Sequence, residues 1–446
     1  MLPRPDDTSP RGIAASIARQ ITSGELAPGD RLPTVRELAA SLGVSPATVS
    51  HAWQTLLAAG LIVARGRSGS FVREPGATDA SWLPRSMAEL AGRAPVGELD
   101  LSRGTPDVAL LPELQPVVGR IIWQAGTGAY QELPVIPELH RLLRDAWPYP
   151  VEALTVIDGA LDGLSRTLDQ TVRFGDRVAV EVPGFPPLFE MLEAHGVERV
   201  PLELDGSGVT PRSLFRALAR GVSAVVLQPR AQNPTGASLS SQRAEELARI
   251  IAGQRRGASI VVIEDDHSGL ISGAPDVSLG TWLPGQVVHL RSFSKSHGPD
   301  LRIAALGGPR PLVDRIVARR LLGPGWTSRM LQRVLLELLR DPLAVASVAR
   351  AGGVYAERQA ALVAALGRRG VSVPSGDGIN LWLPVRDERE AVAVLGAAGV
   401  RVAAGAPFVA DEPGRPGIRL TVGALPVERA AAVAALLAPL VAPVVD

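Results

Sequence analysis

From residue 101 onward the chain alternates short apolar runs with segments of helical period, and this alternation limits its possible folds more than any other feature. The runs are Leu154 to Ile157, Val178 to Val182, Ala224 to Gln228, Ile260 to Glu264, Val287 to Leu290 and Ile303 to Leu306. Each has strand length, and helical patterns separate several of them. The economical arrangement is α/β, a mostly parallel, doubly wound sheet. Functional groups on such a sheet gather outside the strand ends. At 446 residues and 46% hydrophobic, the chain can bury a sizeable core and holds material for about two to three domains.

The first seventy residues follow a different pattern. Ile13, Ala14, Ile17 and Ile21 recur at helical spacing, and the pattern stops at Gly24 and the turn Ala27-Pro28-Gly29-Asp30. Thr34-Val35-Arg36-Glu37 fits a capping box opening a second helix that runs to Leu42-Gly43. Ser45-Pro46 supplies an N-cap and a first-turn proline for a third helix, Ala47 to Ala59. Leu61 to Ala64 and Ser70 to Val72 then read as a hairpin around a basic, glycine-rich tip, Arg65-Gly66-Arg67-Ser68-Gly69. Together these elements outline a winged helix-turn-helix. In such a module the third helix enters the major groove and wing arginines meet phosphate or the minor groove. Ser45, Thr48 and His51 share the leading face of that helix.

Charge supports this only locally. The whole chain carries a formal net charge of +1, too balanced to argue for nucleic acid or membrane binding. Residues 1–73 hold 8 Arg against 5 acids, a net of +3. The chain has no cysteine, which excludes disulfides, thiolate metal sites and a cysteine nucleophile. No cluster of histidines and acids has metal-ligand spacing. The polar start MLPRPDDTSPRG and the lack of a long charge-free apolar stretch make the cytoplasm the expected location, with no membrane partner. Proline, glycine and mixed polar residues after Arg73 mark a connector. The expected division is a DNA-binding domain over 1–73, a linker over 74–100 and an effector domain over 101–446.

Lysine and arginine together number 46, yet Lys295 in Ser292-Phe293-Ser294-Lys295 is the one lysine, leaving 46 − 1 = 45 arginines. A guanidinium stays protonated and cannot act as an amine nucleophile, whereas a desolvated lysine can form a Schiff base. Other chemical groups fall at the strand ends beside it: Asp265 after one run, and Asn233-Pro234-Thr235-Gly236 after another. Pyridoxal phosphate needs an amine, a carboxylate for its ring nitrogen, a donor to its phenolic oxygen, an aromatic face and a phosphate cradle. Lys295, Asp265, Asn233 and Phe185 can fill the first four. Gly159, Ala160 and Leu161 at a helix start, with Ser292, Ser294 and Arg302, can supply the fifth.

Two resemblances extend this reading. Gly29 to Ala39 and Val44 to Val49 resemble the DNA-binding domain of GntR-type bacterial transcription regulators, which implies that Arg31, Thr34, Arg36, Thr48, His51 and the wing Arg65, Gly66, Arg67 and Ser68 face operator DNA. Glu181-Val182-Pro183-Gly184-Phe185, Asn233 to Gly236, Glu264-Asp265-Asp266-His267 and Ser292 to Lys295, with Arg302 seven residues on, resemble fold-type I aminotransferases. That resemblance implies that Arg419 grips a ligand carboxylate, that Tyr130 reaches the neighbouring subunit's phosphate, and that His267 supports the phenolic oxygen where tyrosine is usual. The two halves joined resemble the MocR subfamily. The implied protein is a head-to-tail homodimer that regulates transcription and senses pyridoxal phosphate, an amino acid or another amine through Lys295. A small domain of roughly residues 101–150 and 320–446 is expected to close on the ligand. The residues leave open a working aminotransferase with an autoregulatory DNA-binding head, since the catalytic positions are filled.

Overall fold

The computed structural model describes Pro5 and residues 7–58, 61–64, 69–72, 99–121, 133–254, 257–374, 376–409 and 416–442, in two compact units. The N-terminal unit contains α1 (Pro10–Ser23), α2 (Val35–Leu42), α3 (Pro46–Ala58), β1 (Ile62–Ala64) and β2 (Ser70–Val72). Ser9 caps α1 by accepting from the Gly12 N–H, and left-handed Gly24 (φ 82°) ends it. Both halves of the α2 capping box form: Glu37 N–H donates to the Thr34 hydroxyl at 3.3 Å, and Thr34 N–H donates to the Glu37 carboxylate at 2.8 Å. β1 and β2 pair antiparallel, with Ile62 opposite Val72. Ile13, Ile17, Leu38, Val49, Trp53 and Ile62 are among the side chains of a separate core here. The connector up to residue 98 and the wing tip, Arg65 to Ser68, lie outside the described residues, while Leu99 and Asp100, expected in the linker, instead form a strand of the larger unit with Leu101.

The larger unit is built on an eight-stranded sheet in the order β4, β11, β10, β9, β8, β5, β6, β7. Its strands are β4 (Ala153–Ile157), β5 (Arg177–Val182), β6 (Glu198–Asp205), β7 (Gly208–Val209), β8 (Ala224–Leu227), β9 (Val261–Asp266), β10 (Val287–Ser292) and β11 (Ala304–Gly308). β5, β8, β9 and β10 run parallel, and β11 runs antiparallel to both its neighbours. Every residue of β4, β8 and β10 is buried, as a sheet covered on both faces requires. A second, four-stranded sheet has the order β12, β14, β13, β3, from β3 (Leu99–Leu101), β12 (Leu381–Pro384), β13 (Val400–Ala404) and β14 (Gly417–Leu420). It packs its own core, which includes Leu101, Leu366, Leu381, Val402 and Ile418.

This partition differs from the expected small domain. Leu139, Leu143, Trp147 and Tyr149, together with Leu335 and Leu338, belong to the core of the large sheet. The reason is local: Tyr149 donates to the Val287 carbonyl of β10 at 3.2 Å, and the Trp147 indole sits edge-on to His289, with centroids 5.2 Å apart. The smaller core therefore draws on β3 and on residues from about Leu362 onward. Among the described residues no helix is long and apolar enough to cross a membrane.

Candidate functional site

Parallel pairing of β8, β9 and β10 sets their carboxyl ends side by side, with Leu227 opposite Glu264 and Asp265 opposite Leu290. Asp265 is buried. Its Oδ2 accepts from Gln228 Nε2 at 2.8 Å, while Oδ1 is buried with no hydrogen-bond partner. Burial pushes this carboxyl up to about 6, the negative charge of Asp266 adds to the rise, and donation from Gln228 opposes it. Asp266 meets a different set of partners. It pairs with Arg230 at 2.5 Å and lies 3.8 Å from both His289 and Arg291. Asp266, Asp276 and His289 are close enough to hold a cation. Arg230 already bridges the two aspartates, and Arg291 pairs with Asp276 at 2.5 Å.

Lys295 follows β10 and donates from Nζ to the Gly104 carbonyl. Burial lowers its amine to about 8, helped by the Arg419 cation and opposed by Asp265. His267 lies close enough to feel the lysine's charge. Burial first and Lys295 second bring its imidazole down to about 4, so it is neutral at pH 7. Its Nε2 faces the Ser268 hydroxyl at 3.2 Å, and Nδ1 is buried without a partner. Phe185 lines a cavity with Leu164, Glu181, Leu188, Gln228 and Asp265. Glu181 is itself buried and pushed up to about 8 by desolvation.

At the other end of this site, Gly159 caps the helix Ala160–Thr171 with φ 99° and ψ 163°, a region open essentially to glycine alone. A Cβ there would sit 2.8 Å from Arg302 Nη2. Arg302 adopts a left-handed φ of 51° and donates to the Asp158 carbonyl at 3.0 Å. N–H groups at the helix start and the Arg302 guanidinium beside Gly159 are of the kind that suits an anion. The Ser292 hydroxyl accepts from the Ser294 N–H at 3.2 Å.

Arg419, on β14, is buried under Phe408, its Cζ 5.0 Å from the ring centroid. It donates to the Ser102 carbonyl, and its Nη1 lies 3.4 Å from Asn233 Oδ1. Gly104 has a φ of 63°, and a Cβ there would come within 2.9 Å of Arg419 Nη1. Ser102 and Gly104 thus share the site with Arg419 and Lys295. Sequence reasoning passed over both, and the one signal available was the glycine in Ser102-Arg103-Gly104-Thr105-Pro106. Gln228, also missed, directly follows β8, the strand paired with the one that carries Asp265. Tyr130 lies outside the described residues.

These residues fit pyridoxal phosphate. An orphaned, buried carboxylate oxygen awaits a ring N–H, an amine of lowered basicity stands nearby, and a glycine-lined cradle beside Arg302 suits a phosphate.

The N-terminal unit presents a different surface. Arg31, Thr34, Arg36, Ser45 and His51 are exposed and Thr48 is half-buried. The Thr34 hydroxyl serves the cap of α2. Ser45 caps α3 by accepting from the Thr48 N–H at 3.1 Å, and the two hydroxyls lie 2.8 Å apart. Arg31 Nε lies 3.4 Å from the Cβ position of Gly69, at the base of the wing.

Comparison with known proteins matches both parts. Residues 10–72 match the gntR family of bacterial regulatory proteins, and residues 98–436 match aminotransferase class I and II. The chain is 36% identical to the vitamin B6 salvage pathway transcriptional repressor PtsJ of Salmonella typhimurium, covering 94% of this chain and 95% of that one. It is 32% identical to the HTH-type transcriptional regulator TauR of Rhodobacter capsulatus, covering 82% of each. Among solved structures, an archaeal alanine:glyoxylate aminotransferase superposes with a TM-score of 0.70 at 20% identity, over 81% of this chain and 98% of that one.

Proposed function

Because this chain belongs to the MocR type of GntR-family transcription regulators, a winged helix-turn-helix joined to an aminotransferase class I and II domain, we propose that its DNA binding responds to pyridoxal phosphate held at Lys295. The observation that carries this reading is Asp265 Oδ1, a buried carboxylate oxygen without a partner in the same site as a lysine of lowered basicity. The relative named as a vitamin B6 salvage repressor supports the same class of effector.

Pyridoxal phosphate, when bound, supplies an aldehyde that condenses with amines and a ring that withdraws electrons. Lys295 provides the amine, and with a pKa of about 8 an appreciable fraction is neutral at physiological pH. Asp265, mostly ionised at pH 7, holds a proton on the ring nitrogen. Asn233 donates to the phenolic oxygen, with neutral His267 beside it. Phe185 covers the ring face. Gly159, Ala160, Leu161, Ser292, Ser294 and Arg302 receive the phosphate, joined by Tyr130 from the neighbouring subunit. Arg419 takes the carboxylate of an amino acid effector, displacing the Ser102 carbonyl it now holds. Ligand shifts the protein between states only if it binds them unequally. The Ser102–Gly104 segment, whose carbonyls accept from Arg419 and Lys295, is the element that a ligand at both residues would release.

On the DNA side, Arg31, Arg36, Ser45, Thr48 and His51, with the wing residues 65–68, contact the operator, and the Thr34 hydroxyl fixes the helix that presents Arg36. The connector from residue 74 to about 98 joins this domain to the effector domain, which begins at β3. The functional unit is a head-to-tail homodimer acting in the cytoplasm. Exposed Leu322, Met330 and Leu343 support an interface on the large unit. The experiment is a gel shift with the upstream region of the adjacent operon, with and without the cofactor. Absence of a sequence-preferring complex at moderate salt would sink the reading. Adding single amino acids to cofactor-loaded protein separates a sensor, whose visible band shifts and stays, from a transaminase, whose band decays and is restored by a keto acid.

A further inference from the structure

Gln228 touches both of the residues assigned to the ring nitrogen and the phenolic oxygen of the cofactor. It is 6% exposed, directly after β8. Its Nε2 donates to Asp265 Oδ2 at 2.8 Å, its Oε1 accepts from the Asn233 N–H at 2.7 Å, and its own N–H donates to Glu181 Oε1 at 3.1 Å. We propose that Gln228 is a positioning residue that locks Asp265 and Asn233 into one unit, fixing the carboxylate that meets the ring nitrogen and the amide that meets the phenolic oxygen together. The inference rests on the reading that pyridoxal phosphate occupies this site.

The chemistry singles out a carboxamide. The glutamine amide carries two N–H donors and a carbonyl acceptor on one planar group, and both kinds are used here. Donation to Oδ2 fixes the carboxylate so that Oδ1 is left for the ring. Burial and the neighbouring Asp266 both favour protonation of Asp265, and the Gln228 hydrogen bond is the leading influence against it. A protonated Asp265 would no longer hold a positive charge on the ring. On its acceptor side, Gln228 anchors the Asn233 backbone, whose side chain approaches Arg419 Nη1 at 3.4 Å. One amide therefore links the ring-nitrogen end of the site to the ligand-carboxylate end. The loop itself has a separate brace. Gln232 donates to Glu181 Oε2 at 3.2 Å and accepts from the Thr235 N–H at 3.0 Å. Loss of Gln228 should thus act on the ring contacts rather than unfold the loop.

The test uses the full chain as wild type, Gln228→Met and Gln228→Glu, each loaded with pyridoxal phosphate. The readouts are the pH midpoint of the visible cofactor band and the cofactor dissociation constant. Gln228→Met should move the midpoint by about one pH unit and weaken binding roughly tenfold, as loss of a hydrogen bond to a charged group implies. Gln228→Glu, nearly isosteric, should bind more weakly above neutral pH than below it, because its ionised carboxylate would face Asp265. It carries the comparison if the methionine variant does not fold. Affinity lost without any midpoint shift in either variant would mean a merely structural role and overturn the proposal, as would wild-type behaviour in both. If the wild type takes up no cofactor, the underlying reading fails and this inference fails with it.

Discussion

The lowered basicity of Lys295 makes its reaction with an aldehyde measurable as a pH profile. At a pKa of about 8 the amine is roughly one-quarter neutral at pH 7.5, and at the ordinary value of 10.5 it would be neutral in roughly one molecule per thousand. The reactive population is thus about two hundred times larger than for an ordinary surface lysine. The rate of cofactor capture, followed by growth of the visible band after mixing, should rise about tenfold per unit up to pH 8 and then level off. The neighbours give two variants of opposite sign. Arg419→Met removes a cation that lowers the lysine, so the plateau should begin at higher pH. Asp265→Asn removes an anion that raises it, so the plateau should begin at lower pH. A wild-type rate still climbing tenfold per unit beyond pH 9.5 would refute the claim that burial has made this amine reactive. Equal plateaus in the two variants would refute the assigned neighbours.

Gly159→Ala forces a side chain into glycine-only backbone space against Arg302, a strain of about 1–3 kcal/mol. Phosphate-dependent cofactor affinity, measured by fluorescence titration, should fall at least several-fold. Thr34→Ala removes one half of the α2 capping box and should cost the N-terminal domain about 1 kcal/mol, read as a lower urea midpoint at unchanged slope. Arg36→Ala should weaken operator binding and reduce the slope of log affinity against log salt by about 1. Burial holds His267 and His297 near 4 against an ordinary 6.5. At these two positions the unfolded chain therefore binds more protons between pH 4 and 6.5, so their contribution to stability declines as pH drops through that window, against the opposite contribution of the raised Asp265 and Glu181 carboxyls. A His267→Gln, His297→Gln double variant should flatten that decline in thermal melts of the cofactor-free protein.

Features written within a few residues were legible from the sequence. The capping box at Thr34 and Glu37, the proline-started α3 and the hairpin strands depend on contacts three or four residues apart or on simple alternation. The Lys295 region stood out because composition isolates one lysine among arginines, and because strand ends mark where side chains emerge from a parallel sheet. What stayed hidden depends on register between distant strands. Gln228 means nothing until β8 and β9 pair and bring it to Asp265, 37 residues on. Ser102 meets Arg419 across 317 residues, and Gly104 meets Lys295 across 191. The division of the larger unit was misread near Trp147 and Tyr149 for the same reason. Their apolar period marks them as buried without saying against which sheet.

In the proposed reading, cofactor at Lys295 changes DNA binding. It is tested most directly by titrating the operator region with wild type and Lys295→Ala, each with and without pyridoxal phosphate, at one salt concentration. The cofactor should alter the affinity or footprint of the wild type, while the variant binds DNA and does not respond. An equal response in both proteins, or none in the wild type after the visible band has formed, would contradict it.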